Sequence, residues 1–288
     1  MNYLENMTPP IAGVSKLIIA FRGWPDAGES ATTAVKYILR KLDSEKILDI
    51  DPEEFFDFSQ QRPTVKTTTT GERVISWPQN EVFISNIAST GENILTFLGT
   101  EPNLKWKAFA TIVTDLCQKW NITNVTQIGS LMDAVPHTRD TRISGSSTEA
   151  NVQKILSSAR INKSTYQGPT GITTAISTAL TKNGVHYTSI WGHTPHYLQA
   201  APNQQITYHI VNFMNTLLNL HLDVTDLQEA EEYFKSEVEK AISNDGQLAE
   251  YVRKLENSYD EISMDQTLPD PKDLLSELEE YLKNRPTQ

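Results

Sequence analysis

Histidine, acidic and basic side chains lie together in two short stretches that could carry acid–base chemistry. The stretch DAVPHTR contains Asp133, His137 and Arg139, and the stretch WGHTPHY contains His193 and His196. Histidine and carboxylate groups exchange protons near neutral pH, and an arginine can hold an anionic group. These residues therefore predict the small-molecule site of a hydrolase, a nucleosidase-like enzyme or a ligase. Asp133, His137 and Arg139 equally suit a local ion-pair cluster that only holds the loop.

Two glycine-containing loops precede predicted helices and could bind a ligand. FRGWPDAGES supplies Gly23, Asp26 and Gly28, and GPTG supplies Gly168 and Thr170. A helix N-terminus offers unpaired backbone N–H groups to an anion. The first loop lacks the lysine of a P-loop and the three glycines of a dinucleotide site, and its own carboxylates occupy the positive end of the helix. We therefore expect a structural turn with acidic caps, on the rim of any cleft, whose glycines adopt angles that other residues avoid.

The sequence predicts neither a metal site nor a catalytic residue set. Histidine and aspartate can bind zinc, but Pro195 separates His193 from His196 and disfavours their presentation on one helix. The stretch GSS, residues 145–147, reads as a loop that opens a helix with Ser147 as its N-cap, and no Gly-x-Ser-x-Gly elbow is present. We predict no metal, no cofactor and no enzymatic activity, and keep the small-molecule enzyme as the alternative.

Strand-like and helix-like runs alternate through residues 15–222 and would position these loops. The predicted strands are 16–21, 46–50, 73–77, 81–87, 124–129 and 185–191. The predicted helices are 30–42, 104–120, 147–157, 170–181 and 203–222. This alternation predicts an α/β fold with helices on both faces of a sheet. Because ligands of such sheets bind beyond the carboxyl ends of the strands, we predict one shared cleft formed by the loops at 23–29, 133–139, 168–171 and 191–197.

Acidic helices follow the last predicted strand. Residues 1–222 carry 18 acidic and 18 basic groups, whereas residues 223–288 carry 18 acidic and 7 basic groups, so the net charge of −11 arises in the tail. Thr225 and Gln228 form a capping-box pattern that opens a helix, a second apolar stripe follows, and Asp270 begins a third helix. We predict an α/β core domain, 1–222, and an acidic C-terminal helical segment, 223–288.

The composition predicts a cytoplasmic protein and disfavours two classes of partner. Cys117 is the single cysteine, which suits a reducing compartment, and its amphipathic helix predicts that it is buried. The first twenty residues have no basic segment and only a short apolar run, which predicts neither a signal peptide nor a membrane span. Without a basic patch the chain would bind nucleic acid poorly. An acidic surface could instead face a basic protein.

Seven stretches carry a family resemblance. They are, in order, GWPDAGESAT, GTEPNLKW, DAVPHTR, YQGPTGI, WGHTPHYL, YVRKLENSYD and LPDPKDLLSELEEYLKNR. Together they resemble the proteasome assembly chaperone 2 (PAC2) family, in particular its actinobacterial branch, over residues 14–285. The resemblance implies a three-layer α/β/α sandwich of the phosphorylase/hydrolase-like kind.

The same resemblance implies a partner class. It implies a non-enzymatic protein-binding, assembly-chaperone-like protein that acts as a homo-oligomer, with a trimer as the expected form and with proteasome subunits or another protein as partner. Archaeal relatives dock on the proteasome through a C-terminal motif with a penultimate tyrosine. The penultimate residue here is Thr287, so we do not expect that docking device in this protein.

Overall fold

The structure, a computed structural model, describes residue 4, residues 13–198 and residues 201–265. The strands are β1 Val14–Arg22, β2 Glu45–Asp49, β3 Thr64–Thr67, β4 Arg73–Ser76, β5 Asn80–Ile87, β6 Glu92–Thr100, β7 Asn124–Asp133, β8 Ile143–Ser147 and β9 His186–Pro195. The helices are α1 Ser30–Lys41, α2 Trp106–Lys119, α3 Ala150–Ser158, α4 Ile172–Lys182, α5 Gln204–Leu218, α6 Thr225–Ser243 and α7 Gly246–Asp265. Within the part of the chain that the structure describes, each helix is too short or too polar to cross a bilayer.

Seven strands form one mixed sheet in the order β2-β5-β6-β1-β7-β9-β8. The central pairs β6–β1, β1–β7 and β7–β9 are parallel, and the outer pairs are antiparallel. The carboxyl ends of β1, β7 and β9 therefore meet at the same end of the sheet. Both faces of this sheet are covered, which explains why β1 reads as an almost continuous apolar run.

The two faces of β1 supply two separate hydrophobic cores. Leu17, Ile19 and Phe21 pack on one side, while Ile18 and Ala20 pack on the other. The first core includes side chains of α2 and α4, and the second includes those of α1, α3 and α5. The molecule is therefore the three-layer α/β/α sandwich that the sequence predicted.

The helices α6 and α7 form a hairpin on the core. The start of α6 is fixed to α1, because the Tyr37 hydroxyl donates to Asp226 Oδ1 at 2.5 Å and Lys41 pairs with the same carboxylate at 2.9 Å. Val238 and Val252, one from each helix, pack with Leu198 in a third apolar cluster. The division into units 1–222 and 223–288 stays a prediction, and the helix predicted from Asp270 lies outside the described residues.

Two strands form a separate small sheet. β3 and β4 pair only with each other among the described strands, in antiparallel register, with Val65 opposite Ile75. Every residue of the two strands except Ser76 is exposed. The Trp77 ring packs against the Phe58 ring at a tilt, with ring centroids 4.8 Å apart, and this contact anchors the hairpin to the body.

Several predicted boundaries were wrong. Ser147 does not cap a helix, because residues 143–147 form edge strand β8 on β9 and α3 begins at Ala150. Gly171, not Thr170, is the N-cap of α4, and the capping box at the start of α6 does not form, since Val224 is the N-cap there without a side-chain bond. Strands β3, β6 and β8 were not predicted.

Candidate functional site

The first loop lies directly against the end of β7. Asp26 forms an isolated parallel bridge with Ser130, whose backbone N–H donates to the Pro25 carbonyl at 2.9 Å. The Ser130 hydroxyl donates to the Ala27 carbonyl at 2.8 Å. The loop at 23–29 is thus hydrogen-bonded to β7, the strand that leads into the loop at 133–139.

The sequence predicted that both acidic residues of this loop, Asp26 and Glu29, cap the helix, and only Asp26 does so, since the Glu29 side chain makes no capping bond. Asp26 Oδ1 accepts from the backbone N–H groups of Ala31 and Thr32 at 2.9 and 3.0 Å, and its Oδ2 accepts from the Thr32 hydroxyl at 2.5 Å. Burial raises the pKa of Asp26, and the hydrogen bonds from Thr32 and Ala31 oppose that rise. The position that an anion could occupy at this helix is filled by the chain's own carboxylate.

Both glycines of the first loop adopt backbone angles that other residues avoid, as predicted. Gly23 has φ of 111° and Gly28 has φ of 60°, values that side-chain-bearing residues rarely adopt. A Cβ at Gly28 would also lie 3.2 Å from the Asn203 Cβ and 3.3 Å from the Thr194 Cγ2. The tight approach of β9 and α5 to this loop therefore adds a steric reason for glycine.

A second carboxylate, which sequence reasoning missed, closes the N-terminus of α4. Glu101 Oε1 accepts from the Ile172 N–H at 2.8 Å, and its Oε2 accepts from the Trp24 N–H at 3.3 Å. Glu101 thereby links the loop at 23–29 to the loop at 168–171. The sequence feature that could have identified Glu101 is its position as an acidic residue directly after a strand. That strand, β6, was itself not predicted. Gly168 and Thr170 are exposed, and the Thr170 hydroxyl bonds to that of Thr174.

The strand ends of β7, β8 and β9 hold a chain of three side chains. His193 Nδ1 lies 2.6 Å from Asp133 Oδ2, and His193 Nε2 lies 2.8 Å from the Ser144 hydroxyl. Ser144 and His193 are buried, at 5% and 6% exposure. Serine, histidine and aspartate in this order could polarise the hydroxyl toward nucleophilic attack. Ser144 lies on the strand that the sequence did not predict, so sequence reasoning missed it.

The electrostatics of Asp133 favour its ionised form. Burial acts to raise the pKa of Asp133, but the hydrogen bond with His193 and the charge of Arg142 outweigh it and hold the pKa below its ordinary value. Arg142 Nη1 lies 3.6 Å from Asp133 Oδ2. The His196 side chain contacts the main chain of Asp133, with Nδ1 2.9 Å from the Asp133 carbonyl oxygen.

His137 and His196 contact tyrosines rather than each other. His137 Nδ1 lies 2.7 Å from the Tyr197 hydroxyl, and His196 Nε2 lies 2.8 Å from the Tyr251 hydroxyl. Burial lowers the pKa of His137, although its Nε2 lies 3.4 Å from Glu239, whose charge acts in the opposite direction. Both histidines are therefore held at the junction with the helical hairpin.

Arg139 is bound by helix α7. Its guanidinium donates to both carboxylate oxygens of Asp260, at 2.8 and 2.7 Å, and to Glu256 at 3.2 Å. These bonds raise the pKa of Arg139, an effect led by the hydrogen bond to Asp260. The local ion-pair cluster predicted for Asp133, His137 and Arg139 does not form, because Arg139 pairs with the tail residues Asp260 and Glu256 whereas Asp133 pairs with His193 and Arg142.

The loops thus meet at one end of the sheet, but their polar groups bind each other and the tail. Asp133 and His193 touch directly, whereas Arg139, Gly168 and Thr170 touch none of the other predicted site residues through a described side-chain bond. Among the described residues, no group of three or more histidine, cysteine, aspartate or glutamate side chains is placed to hold a metal. Whether the four loops bind a ligand stays a prediction.

Two cavities lie beside these loops. One of about 600 Å³ lies between residues 138–141, α5 and the helical hairpin, and includes Arg139 and the buried Glu231. Another of about 580 Å³ lies between α3, α4 and the edge strand β8 and is lined largely by hydroxyl groups. The 600 Å³ cavity is bordered by the helical hairpin as well as by the loop at 133–139.

Comparisons with known proteins agree with this architecture. A family model described as the PAC2 family matches residues 20–242. A PAC2 family protein from Streptomyces avermitilis is 29% identical, with a TM-score of 0.74, covering 83% of this chain and 99% of its own. The Mycobacterium tuberculosis proteasome-assembly chaperone homologue Rv2125 is 27% identical, with a TM-score of 0.74, covering 82% of this chain and 99% of its own.

A third solved structure supports the fold alone. A Corynebacterium glutamicum protein of unknown function is 22% identical, with a TM-score of 0.79, covering 91% of this chain and 96% of its own. No curated protein matches this sequence significantly.

Proposed function

Because the chain belongs to the PAC2 family, we propose that it is an assembly-chaperone-like protein that binds other proteins and acts as a homo-oligomer. Three copies is the number we propose, and a proteasome subunit is the first partner to test, since one similar structure is described as a proteasome-assembly chaperone homologue. The proposed location is the cytoplasm. The proposed role is non-enzymatic.

The placement of the helical hairpin carries this proposal. Its inner side is bound to three of the predicted site residues, through the pairs His196–Tyr251, His137–Glu239 and Arg139–Asp260. Its outer side leaves Glu229, Glu232 and Glu237 of α6 exposed. A surface that is fixed on one side and charged on the other suits contact with a basic face of another protein chain.

Native mass spectrometry of the protein isolated gently from its own cells tests the proposal. We expect the wild type to appear as a homo-oligomer that carries an intact protein partner. Replacing Glu229, Glu232 and Glu237 with glutamine should remove the partner or the oligomer, because the outer face then loses three negative charges. The matched control neutralises three exposed acidic residues elsewhere, at Glu45, Glu53 and Asp115. An unchanged mass for the α6 variant would count against the role of this face.

One observation favours a second function, a serine hydrolase. The chain Asp133–His193–Ser144 has hydrogen-bond lengths of 2.6 and 2.8 Å, as a catalytic triad requires. Against it, Ser144 is buried and borders neither of the two cavities described above.

A fluorophosphonate probe separates the two functions. Such a probe labels an activated, accessible serine covalently, and the non-enzymatic proposal expects no adduct on Ser144. An adduct in the wild type that is lost in both Ser144→Ala and His193→Ala would establish the hydrolase and overturn the non-enzymatic proposal. Ser146→Ala, a change two residues along the same strand, is the control for nonspecific labelling.

A further inference from the structure

The β3–β4 hairpin presents an apolar surface to solvent. Val65 and Ile75 lie opposite each other on one face and are 54% and 56% exposed, and Trp77 at the base is 42% exposed. A two-stranded hairpin is marginally stable in water without packing on something else. Grouped exposed apolar side chains of this kind mark contact sites for other proteins.

This hairpin is basic in an otherwise acidic protein. Residues 62–77 contain Arg62, Lys66 and Arg73 but only one acidic residue, Glu72. Arg62, Lys66 and Arg73 are all exposed. An apolar centre flanked by cations calls for a partner surface with an apolar centre flanked by carboxylates.

The outer face of α6 has that composition. Tyr233 is 70% exposed, and Glu229 and Glu232 beside it are exposed as well. Residues 229 and 233 are one helical turn apart, so the ring and the carboxylate lie on the same side of the helix. The two surfaces belong to the same chain but have opposite charge and differ in structure.

We propose that the β3–β4 hairpin of one copy docks on the outer face of α6 of a second copy. Ile75 and Val65 would pack against the Tyr233 ring, with Arg73, which lies on the same face of the hairpin as Ile75, facing Glu232. This inference rests on the proposed homo-oligomer and assigns the surface that builds it. Because two different patches meet, the contact is heterologous, and repeated contacts of this kind close into a ring when the rotation allows, as in a trimer.

A cross-link between two separately made variants tests the contact. Cys117, the single native cysteine, is buried, so an added cysteine would be the accessible one. Ile75→Cys and Tyr233→Cys proteins are mixed, allowed to exchange subunits and treated with a short bismaleimide reagent. We expect a covalent dimer that contains one chain of each type, as identified by differential mass labelling. Ile155→Cys replaces Ile75→Cys in the control, because Ile155 is an isoleucine of α3 that is 40% exposed.

Substitutions in the same surfaces give a second readout by sedimentation velocity. Ile75→Glu should raise the dissociation constant of the oligomer at least tenfold, whereas Ile155→Glu should leave it unchanged. Arg73→Glu should also weaken the oligomer, because it places a carboxylate against Glu232. Combining it with Glu232→Arg should restore association to within a fewfold of wild type, which a mere loss of folding could not do.

The outcomes separate this inference from the proposed function. If the wild type is an oligomer that neither Ile75→Glu nor Arg73→Glu weakens, and no mixed cross-link forms, the hairpin contact is wrong while the homo-oligomer stands. A wild type that sediments as a monomer up to high concentration overturns both. A mixed cross-link together with rescue by the charge exchange supports both.

Discussion

At the scale of single residues, Asp26 holds the first turn of α1 with its two carboxylate oxygens. Asp26→Ala removes three hydrogen bonds from a buried site, and we expect a loss of about 1–3 kcal/mol in the free energy of unfolding. Urea denaturation of both proteins measures the difference. Glu29→Ala is the matched control, since Glu29 makes no capping side-chain bond, and it should change stability by less than ~0.5 kcal/mol. Equal effects of the two variants would contradict the capping role.

His137 and His209 give the protein a pH dependence. Burial lowers the pKa of both imidazoles below the ordinary value of 6.5. In the unfolded chain each takes up a proton as the pH falls through about 6.5, while the folded state resists it, so the unfolded state binds more protons. Their contribution to stability is therefore full above that pH and is lost as the pH falls below it.

Thermal unfolding between pH 7.5 and pH 5.5 checks this direction. We expect the melting temperature of the wild type to fall toward pH 5.5 and that of His137→Asn to fall less steeply. His186→Asn, at an exposed position at the start of β9, should keep the wild-type slope. A wild type that becomes more stable toward pH 5.5 would show that the sign is wrong.

Residue types could be predicted at the site, but their partners could not. The capping role of an acidic residue in the first loop and the angles of Gly23 and Gly28 followed from local rules, because the groups involved are neighbours in the chain. Glu101 bonds to Ile172, 71 residues away in the sequence, and Ser144 bonds to His193, 49 residues away. Only the fold brings these partners together. The burial of Cys117 was predicted from its helix and is confirmed, and it raises the pKa of the thiol to about 12.

At the scale of elements, α7 is held on the core partly by Arg139. Arg139→Ala removes its bonds to Glu256 and Asp260, and we expect faster amide hydrogen exchange in α7. Because the pair is partly exposed, the global free energy of unfolding should change by less than ~1 kcal/mol. Arg253→Ala, on the exposed side of α7, is the control and should leave exchange unchanged. Exchange that rises equally in all helices would instead indicate global destabilisation.

Two of the strands that sequence reasoning missed, β8 and β6, lack the alternation of apolar and polar residues that identifies a strand in a sequence. β8 reads ISGSS, which has no apolar alternation and only one strand-forming side chain, Ile143, and it is a strand because it pairs with β9. β6 reads ENILTFLGT and is buried on both faces, so it lacks a period of two. The stretch 191–197 was predicted as a loop, but β9 continues to Pro195. Its pairing with β8 ends at Gly192, so one side of the strand is free of a neighbouring strand at the proline.

At the scale of the whole molecule, the alternation of elements was enough for the three-layer architecture. Buried central strands and amphipathic helices leave few other arrangements. The alternation could not predict that the helical hairpin would cover the end of the sheet where the loops meet. That contact depends on pairs such as His196 with Tyr251, which lie 55 residues apart in the sequence. The helical hairpin of the tail thus contacts the loops that were predicted to form the cleft.

The central claim is that this chain acts by binding protein chains, its own copies included. The most direct test is the native mass spectrum of the protein isolated gently from its own cells. The account predicts a homo-oligomer that carries an intact protein partner. A monomer or bare oligomer that carries a small, stoichiometric added mass would contradict it and would point to a ligand in the loops at the end of the sheet.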